Sequence, residues 1–542
     1  MNEIIDYRNA STLERLLEAH RSLGQVLKEY QAPITEENTS VGETATVVEK
    51  KEEKVAPSEK ASEHTCIFER IIVFTNNTNP KENKTLRLIE EATKDFDVEV
   101  HAFNVDEVDA RREENKIIIW DGDNELVLEE ASNIDTLVIS RLGVQGELDA
   151  EHAVKVLQDR GILVLNPVYY SNIACNKYET AKLLEAANIP QPRFCYMDYH
   201  TLYDEELYAE AIHRLFPEAN LEDKDSLESL EVVVKILDGH GGTGVFTCDV
   251  KKLYAILQCV FAVDSERGLI IQKKEEADGG DIRVHVLTLR GGKQKILAAM
   301  KRVKLSGDFR SNVSLGATAE PVKLTKEQEK IALETAKVSK LPWCAVDIMP
   351  LVEKSNPELG DNVVLEINAS PGTEGISEVI KENFINVLLN NLTSPEDFPI
   401  QSKIAGTKET AHINFGGKTK EYLAKLDTGN ATTFCSLEVG KYEVKEDKIS
   451  FSIDEEDYTF DVVETGVSLT GDVKQERPII EVPSLRIGER KVRKCRIGIV
   501  ESRDNKSTNL LVNRKTIAQL GYVISADEDH ILTPAIEKVA II

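Results

Sequence analysis

Three kinds of folded unit are predicted along the chain: a parallel α/β layer, an α+β segment and a small all-β domain. Between Cys66 and Cys175 short apolar strands alternate with helical stretches. After Pro190 hairpin-like strand pairs appear, separated by Gly-rich turns, and beyond about Ser394 short strands and turns take over almost entirely. A length of 542 residues exceeds what a single hydrophobic core supports, which agrees with several units.

The elements follow in order. Ser11-Thr12-Leu13-Glu14 is a capping-box pattern, and Leu13, Leu16, Leu17, Leu23 and Leu27 keep roughly helical spacing, so residues 1–30 are expected to hold one amphipathic helix. From Gln31 to Thr65 there is no aromatic residue, and the composition predicts a disordered linker over 31–65. The α/β layer, 66–175, has strands at Arg70–Thr75, Val98–Phe103, Asp135–Ser140 and Ile162–Leu165, with helices at Lys81–Lys94 and Asp149–Arg160. The α+β segment, 176–393, shows one clear helix, Lys326–Ser339. A linker over 394–409 then leads to the all-β domain, 410–542.

Composition removes several function classes. A net charge of −28 speaks against a general nucleic-acid binder, which needs surplus Lys and Arg. The longest apolar uncharged run, Leu253–Val263, falls far short of the ~20 residues a membrane span needs. Met1-Asn2-Glu3 lacks the basic start of a signal peptide. The 8 cysteines are scattered without a Cys-x-x-Cys pair and read as core residues of a reduced, cytoplasmic protein. No His-Glu-x-x-His occurs, so spacing offers no zinc site.

The chemistry is concentrated in a few stretches. Val364-Leu-Glu-Ile-Asn368 reads as a strand on which Glu366 and Asn368 share one face before Ser370-Pro371-Gly372 ends it. That pair is either the solvated face of an edge strand or two hard oxygen ligands for magnesium. Asp347 interrupts the apolar run Ala345-Val-Asp-Ile-Met349, where a buried carboxylate needs a cation. Glu231–Leu237 leads into Asp238-Gly-His-Gly-Gly-Thr-Gly244 and then Val245–Asp249. A dinucleotide fingerprint would open a helix there. The residues that follow prefer a strand, so Gly239, Gly241, Gly242 and Gly244 predict a hairpin flap whose bare amides can lie against phosphates, with Lys235 beside them. The alternative is a plain glycine turn. Asp281 and Arg283 share a face of a short strand, and Gly307–Asn312 carries Arg310 and Asn312 on a polar loop suited to anionic oxygens.

Taken together, Leu137–Gly143, Lys235–Gly239 with its glycine loop, Asp281–Arg283, Gly307–Asn312, Ala345–Ile348 and Glu366–Gly372 resemble, in order and interval, the ATP-grasp ligases. Within that superfamily the stretch from about Cys66 to Leu392 is most similar to RimK-like enzymes, which add L-glutamate to the C-terminus of a small-subunit ribosomal protein. The resemblance implies a pre-ATP-grasp α/β domain followed by an α+β ATP-grasp fold. It implies ATP and two Mg2+ (or Mn2+) ions held by Asp347, Glu366 and Asn368. Lys177 and Lys235 would contact ATP phosphates, Gln272 and Lys273 would read the adenine through their backbone, and Asp281 would meet the nucleotide at the ribose. Arg283, Arg302, Arg310 and Asn312 would face the substrate carboxylate and its phosphorylated form. The activity implied is carboxylate activation through an acylphosphate, then attack by an amine, with Arg310 and Asn312 stabilising the oxyanion. The partners implied are ATP, glutamate or another amino acid, and a protein or peptide C-terminal acceptor such as a ribosomal protein. The alternatives are a ligase for another amino acid or small metabolite, and a non-catalytic nucleotide-binding adaptor.

In the last domain, Tyr422–Thr433 contains Asp427-Thr428-Gly429 after an apolar strand, and Leu510–Arg514 precedes an apolar turn. From about Thr410 to Pro534 this is similar to the retropepsin-like domain historically labelled an ATP-dependent zinc protease. The resemblance implies Asp427 as the catalytic acid of an aspartic peptidase. The alternatives are a plain strand ending in an Asp-Thr-Gly turn and a binding module that keeps the fold without the activity. The presence of both domains in one chain suggests that the last one binds or trims the ligase product. Two departures stand out: Asn430 replaces the family's Ala and Asn513 its Gly. Aspartic proteolysis needs two carboxyls sharing a proton. The second must come from a dimer partner or elsewhere, for example Asp504, and a homo-oligomer is expected.

Overall fold

The computed structural model of the chain describes residues 66–113, 116–122, 124–129, 135–142, 148–239, 243–303, 318–352, 359–394, 397–398, 402–470, 473–502 and 510–533. The N-terminal helix and linker expected over 1–65 lie outside the described residues. Two compact units result: residues 192–275, and residues 65–191 together with 276–542.

The second unit begins with the α/β layer. Its elements are β1 (Arg70–Thr75), α1 (Lys84–Thr93), β2 (Glu99–Asn104), β3 (Val108–Arg112), β4 (Lys116–Asp121), β5 (Asn124–Glu129), β6 (Thr136–Ser140), α2 (Leu148–Asp159), β7 (Leu163–Leu165), α3 (Val168–Cys175) and α4 (Lys177–Ala186). The parallel sheet runs β2-β1-β6-β7. Ile71, Ile72, Val73 and Phe74 are all fully buried, the near-continuous apolar pattern of a parallel strand covered on both faces. From β1 the chain moves one way to β2 and the other way to β6 and β7, so the order reverses between β1 and β6. The strands β3, β4 and β5 form a separate antiparallel sheet that the sequence reading does not anticipate. In β3, Val108 and Ala110 alternate with Asp109, Arg111 and Arg112, and so much charge reads as loop.

The first unit contains β8 (Phe194–Met197), α5 (Tyr199–Tyr203), α6 (Glu205–Leu215), α7 (Lys224–Glu228), β9 (Glu231–Ile236), β10 (Val245–Asp249), α8 (Val250–Val263) and β11 (Leu269–Lys273). Its sheet is antiparallel in the order β10-β9-β11-β8. The four helices here correct the expectation of one clear helix after Pro190. The Asp249 side chain caps α8 by accepting from Lys252 N, and the helix buries Val250, Leu253, Leu257 and Phe261 at helical spacing. Uniform apolarity across Leu253–Val263 hides that period in the sequence.

The second unit resumes with β12 (Asp281–Thr288), β13 (Gln294–Val303), β14 (Thr318–Pro321), α9 (Lys326–Ser339), β15 (Trp343–Pro350), β16 (Asn362–Asn368), α10 (Glu374–Ile380) and α11 (Phe384–Leu389). The antiparallel sheet runs β14-β13-β12-β15-β16. The expected helix α9 spans its expected range. Thr325 and Gln328 close its capping box, and Ile331, Ala332, Thr335 and Ala336 form its buried stripe.

Among the described residues, twelve further strands and one helix follow. They are β17 (Lys403–Ala405), β18 (Lys408–Asn414), β19 (Thr419–Asp427), β20 (Cys435–Val439), β21 (Tyr442–Lys445), β22 (Lys448–Ile453), β23 (Glu456–Asp461), β24 (Glu464–Thr470), β25 (Val473–Ile487), β26 (Arg490–Glu501), β27 (Leu510–Asn513), α12 (Arg514–Leu520) and β28 (Tyr522–Ile524). The order β18-β19-β27-β20-β26-β25 closes on itself because β18 also pairs with β25, making a barrel with β24 at its side. The apolar turn expected after Arg514 is the helix α12, which Asn513 caps. Arg493 ties the barrel to the α/β layer through Glu69 (2.9 Å) and the buried Asp135 (2.8 Å), and Glu489 forms an ion pair with Arg112.

Candidate active site

Three strand registers assemble the site in the second unit. Asp281 on β12 faces Arg302 on β13, Arg283 on β12 faces Asp347 on β15, and Asp347 faces Glu366 on β16. A bulge leaves Leu365 without a partner opposite the step from Asp347 to Ile348. This extra residue re-aims β16 where Glu366 and Asn368 emerge. The strand β16 is an edge strand, as the bland reading held, yet its polar face meets a buried carboxylate.

The contacts are dense. Arg283 donates Nε to Asp347 Oδ1 at 2.8 Å and Nη2 to Oδ2 at 2.7 Å. Arg302 donates Nε and Nη2 to the two Asp281 oxygens at 2.6 and 2.7 Å, and Nη2 also to Asp347 Oδ2 at 2.7 Å. Asn368 Nδ2 donates to Asp347 Oδ2 and to Glu366 Oε1, each at 3.2 Å. The side chains of Arg302 and Asp281 are 4% exposed and that of Asp347 is 0% exposed. Such bidentate pairs are the strong form of ionic hydrogen bond, and burial makes them obligatory.

Charge decides which group is available. Burial alone would raise the Asp347 carboxyl, but the guanidiniums of Arg283 and Arg302 overcome it and hold Asp347 below the usual range. Glu366 goes the other way: desolvation of its carboxyl and then the negative charge of Asp347 push it up, while Arg283 and Lys177 oppose the rise. Three carboxylates face two guanidiniums, so Glu366, whose side chain is 37% exposed, is the one without a bidentate guanidinium and the one whose charge is most readily given up to a proton or shared with a cation. Lys177, the first residue of α4, is close enough to feel that charge.

The residues fit a hard cation in a restricted way. Glu366 and Asn368 present oxygens on the open side, whereas both Asp347 oxygens are already engaged by guanidiniums. Magnesium is commonly held by one or two carboxylates plus substrate phosphates, and Glu366 with Asn368 supplies that share. The faces of Arg302 and Asp281 expected to meet substrate carboxylate and ribose are instead turned into each other. Arg310 and Asn312 lie outside the described residues.

The first unit carries the rest of the expected nucleotide residues. Lys235 lies on β9 opposite Val245 on β10, and the two strands form the expected antiparallel hairpin, with Ile236 N donating to Gly244 O at 3.1 Å. Gly244 has φ +66, and a Cβ there would come within 2.6 Å of the Ile236 side chain, so only glycine suits this turn. Gly239 is as tight against Ile236 and the Thr243 carbonyl. Gly241 and Gly242 lie outside the described residues. Gln272 is buried on β11, and the Lys273 amide donates to Arg193 O at 2.8 Å, which leaves its carbonyl rather than its N–H for a ligand.

Sequence reasoning missed two residues around this site. Asn166, fully buried, donates Nδ2 to Trp343 O at 2.6 Å and accepts from Trp343 N at 2.9 Å, tying the end of the α/β layer to β15. Arg141 sits in a quoted motif with no role assigned, and its Nη1 donates to Pro371 O at 3.0 Å. Only the long-range contact reveals either.

Residues 174–392 match the RimK-like ATP-grasp domain. This covers the cluster on β12, β13, β15 and β16 and the glycine hairpin alike. The chain is 40% identical over 147 residues to a probable alpha-L-glutamate ligase of Vibrio atlanticus (strain LGP32), spanning 27% of this chain and 45% of that protein. It is 29% identical over 252 residues to a probable alpha-L-glutamate ligase of Vibrio vulnificus (strain YJ016), spanning 46% of this chain and 74% of that one. Among solved structures, the ATP-grasp ligase PsnB complexed with a minimal precursor aligns with a TM-score of 0.42 at 18% identity, covering 60% of this chain and 98% of that chain. The D-alanyl-alanine synthetase A of Vibrio cholerae aligns with a TM-score of 0.41 at 14% identity, covering 61% and 100%.

At the barrel's candidate site, Asp427 ends β19 in register with Asn513 on β27. Asp427 Oδ1 accepts from Gly429 N at 3.0 Å. Asn513, fully buried, donates to Thr432 O at 2.6 Å and accepts from Cys435 Sγ at 3.3 Å and Thr516 N at 3.4 Å. Its amide therefore knits the turn and caps α12, work that the expected glycine could not do. Asp504 lies outside the described residues.

Proposed function

We propose that the chain is an ATP- and magnesium-dependent carboxylate–amine ligase that adds L-glutamate to a protein or peptide C-terminus. The observation that carries this reading is the excess of carboxyl groups over guanidiniums where Glu366 meets Asn368 and the buried Asp347. A binding module would have no reason to bear the desolvation of that group. The RimK-like match over 174–392 and the printed names of the relatives support the choice of ligase and of glutamate.

In this reading Glu366 and Asn368 hold magnesium, which would offset phosphate charge during transfer to the substrate carboxylate. Arg283 and Arg302 fix the Asp347 carboxylate in place, and Lys177 adds a positive charge felt at Glu366. On the first unit, Lys235 and the glycine hairpin between β9 and β10 carry the charge and bare amides suited to phosphates. The C-terminal barrel, retropepsin-like in this reading, binds the extended product. Tethering would give even a weak site a high effective concentration of tail.

The test uses the full chain with ATP, glutamate and candidate acceptor peptides, read by phosphate release and intact mass. Wild type should add glutamyl residues, and Glu366→Gln should reduce turnover to background without lowering the melting temperature. Phosphate release with no mass gain on any acceptor would point to another amino acid or metabolite. Wild-type turnover in Glu366→Gln would overturn the site assignment.

A further inference from the structure

The cluster consumes two guanidiniums, Arg283 and Arg302, each locked onto aspartates. A third, Arg141, is placed differently. It directly follows β6, and its amide donates to Phe74 O of β1 at 2.9 Å, so it stands where the carboxyl ends of β1 and β6 meet. This is the point at which the sheet order reverses. In open parallel sheets the crevice beyond such carboxyl ends is where ligands bind.

The segment that leaves β16 comes to the same place. Ser370 Oγ donates to Ser140 O at 3.4 Å, Arg141 Nη1 donates to Pro371 O at 3.0 Å, and the hydroxyls of Thr85 and Thr373 lie 3.2 Å apart. The helix α1 opens beside it, with Asn83 Nδ2 donating to Thr75 Oγ1 at the end of β1 at 2.8 Å. The Arg141 guanidinium has five N–H donors and spends one on Pro371. Among the described residues it forms no ion pair, whereas Arg283 and Arg302 each have a bidentate aspartate. Burial lowers it to about 10, which leaves it charged at neutral pH and, among the described residues, without a carboxylate beside it. A fork of unspent donors in a half-buried crevice fits a planar oxyanion.

We propose that Arg141 binds the free α-carboxylate of the incoming amino acid at the β1/β6 switch point. This rests on the ligase reading and adds the residue that selects the nucleophile. The amino acid must present its amine to the activated carboxyl while its own carboxylate stays unreactive. A guanidinium outside the Asp347 network does both by holding that carboxylate apart. An amine lacking the carboxylate would leave Arg141 desolvated and unpaired, a strong basis for discrimination.

Calorimetry on the full chain, with magnesium and a non-hydrolysable ATP analogue present, tests this without turnover. Glutamate, glutamate α-amide and inorganic phosphate are the probes, and wild type, Arg141→Met and Arg141→Lys the proteins. Wild type should bind glutamate at least tenfold more tightly than the α-amide. Arg141→Met should lose that preference, Arg141→Lys should regain part of it, and affinity for the ATP analogue should change less than twofold in both. Equal affinity of wild type for glutamate and its α-amide, or unchanged glutamate binding in Arg141→Met, would overturn the proposal. So would wild type that fails to bind glutamate, or an Arg141-dependent site filled only by phosphate. If Arg141→Met does not fold, the α-amide comparison on wild type and the Arg141→Lys protein still decide. Failure of the ligase reading shows separately, as absence of phosphate release with every acceptor, since the binding assay needs no chemistry.

Discussion

Asp347 and Asp427 both end up beside short motifs that catch the eye in the sequence, but their surroundings have little in common. Around Asp347 the chain gathers two more carboxylates, two guanidiniums and a carboxamide from four strands, nearly all out of water. The Asp427 carboxylate accepts one hydrogen bond among the described residues, from Gly429 N, and the residue in register with it is an amide already engaged in holding a turn. Crowded, desolvated charge is expensive, so its presence argues for a chemical purpose. A half-exposed carboxylate at a turn costs little and fits many purposes. The difference teaches that a motif earns weight from what the fold brings to it.

The largest test of this contrast removes a charge from each place. Arg302→Met takes the bidentate guanidinium from the buried Asp281 and leaves Asp347 with Arg283 as its remaining guanidinium, and should cost about 3–5 kcal/mol of stability, seen as a lower urea midpoint. A loss below about 1 kcal/mol would mean that the cluster relaxes easily and that its burial carries no functional argument.

How far these features could be read in the sequence follows from the same contacts. Spacing along one strand shows that Asp281 and Arg283, or Glu366 and Asn368, share a face; Glu366 and Asn368 do touch, while Asp281 and Arg283 take partners on neighbouring strands. Spacing cannot show that Arg302 is spent on Asp281, because that depends on the register of β12 against β13. The bulge at Leu365 is equally silent, being a property of two strands at once. The helix α9 was legible since its caps and stripe are local, whereas α8 has only Gln258 among strongly polar residues after Lys252 to mark its period. The sheet of β3, β4 and β5 went unseen because its charged face belongs to no alternation of strands with helices.

A second test asks whether the core under the cluster is as dry as its geometry implies. His285, on β12 two residues from Arg283, is fully buried against Phe384 and Trp343. Burial first, and then Arg283, lower its pKa from 6.5 to about 3, so the folded ring stays neutral. The unfolded chain takes up a proton below pH 6.5 that the folded chain refuses until about 3, so stability present above 6.5 is lost as pH falls through that window. At pH 5 the loss is about 2 kcal/mol. His285→Phe should remove this part of the acid sensitivity, measured as the change in urea midpoint between about pH 7.5 and pH 5 in mutant and wild type. Equal changes in the two proteins would show that water reaches the ring.

A third and smaller effect links the two regions. Gly161, at φ +78 after α2, lies against the Arg490 side chain of the barrel, where a Cβ would meet Arg490 Cδ and Nε at 2.9 Å. Arg490 is buried and donates to the carbonyls of Leu520 and Gly521 at 3.0 and 2.9 Å, so it cannot yield easily. Gly161→Ala should cost about 1–2 kcal/mol from the left-handed backbone and should loosen the barrel. Faster proteolysis between residues 394 and 402 is the expected readout. An unchanged cleavage rate would mean that the ion pairs of Arg493 with Glu69 and Asp135 and of Arg112 with Glu489 hold the barrel without the Gly161 contact.

The smallest effect is expected at Asp427, and it bears most directly on the contrast. Aspartic proteolysis depends on two carboxyls close enough to share one proton. Within one chain, the place beside Asp427 is occupied by Asn513, whose oxygen accepts from Cys435 and Thr516 and whose nitrogen donates to Thr432. Asp427→Asn keeps an oxygen for the Gly429 amide, so stability should change by less than about 0.5 kcal/mol. If the barrel holds the tail without cutting it, the lengths of glutamate tails made in a fixed time should be the same in mutant and wild type. Intact-mass analysis of the acceptor reads this directly. Longer tails in Asp427→Asn would mean that removal had stopped while addition continued. Asp427 would then be a catalytic acid whose partner carboxyl comes from a second copy of the chain or from Asp504, and the contrast between a charged cluster and a lone carboxylate would break.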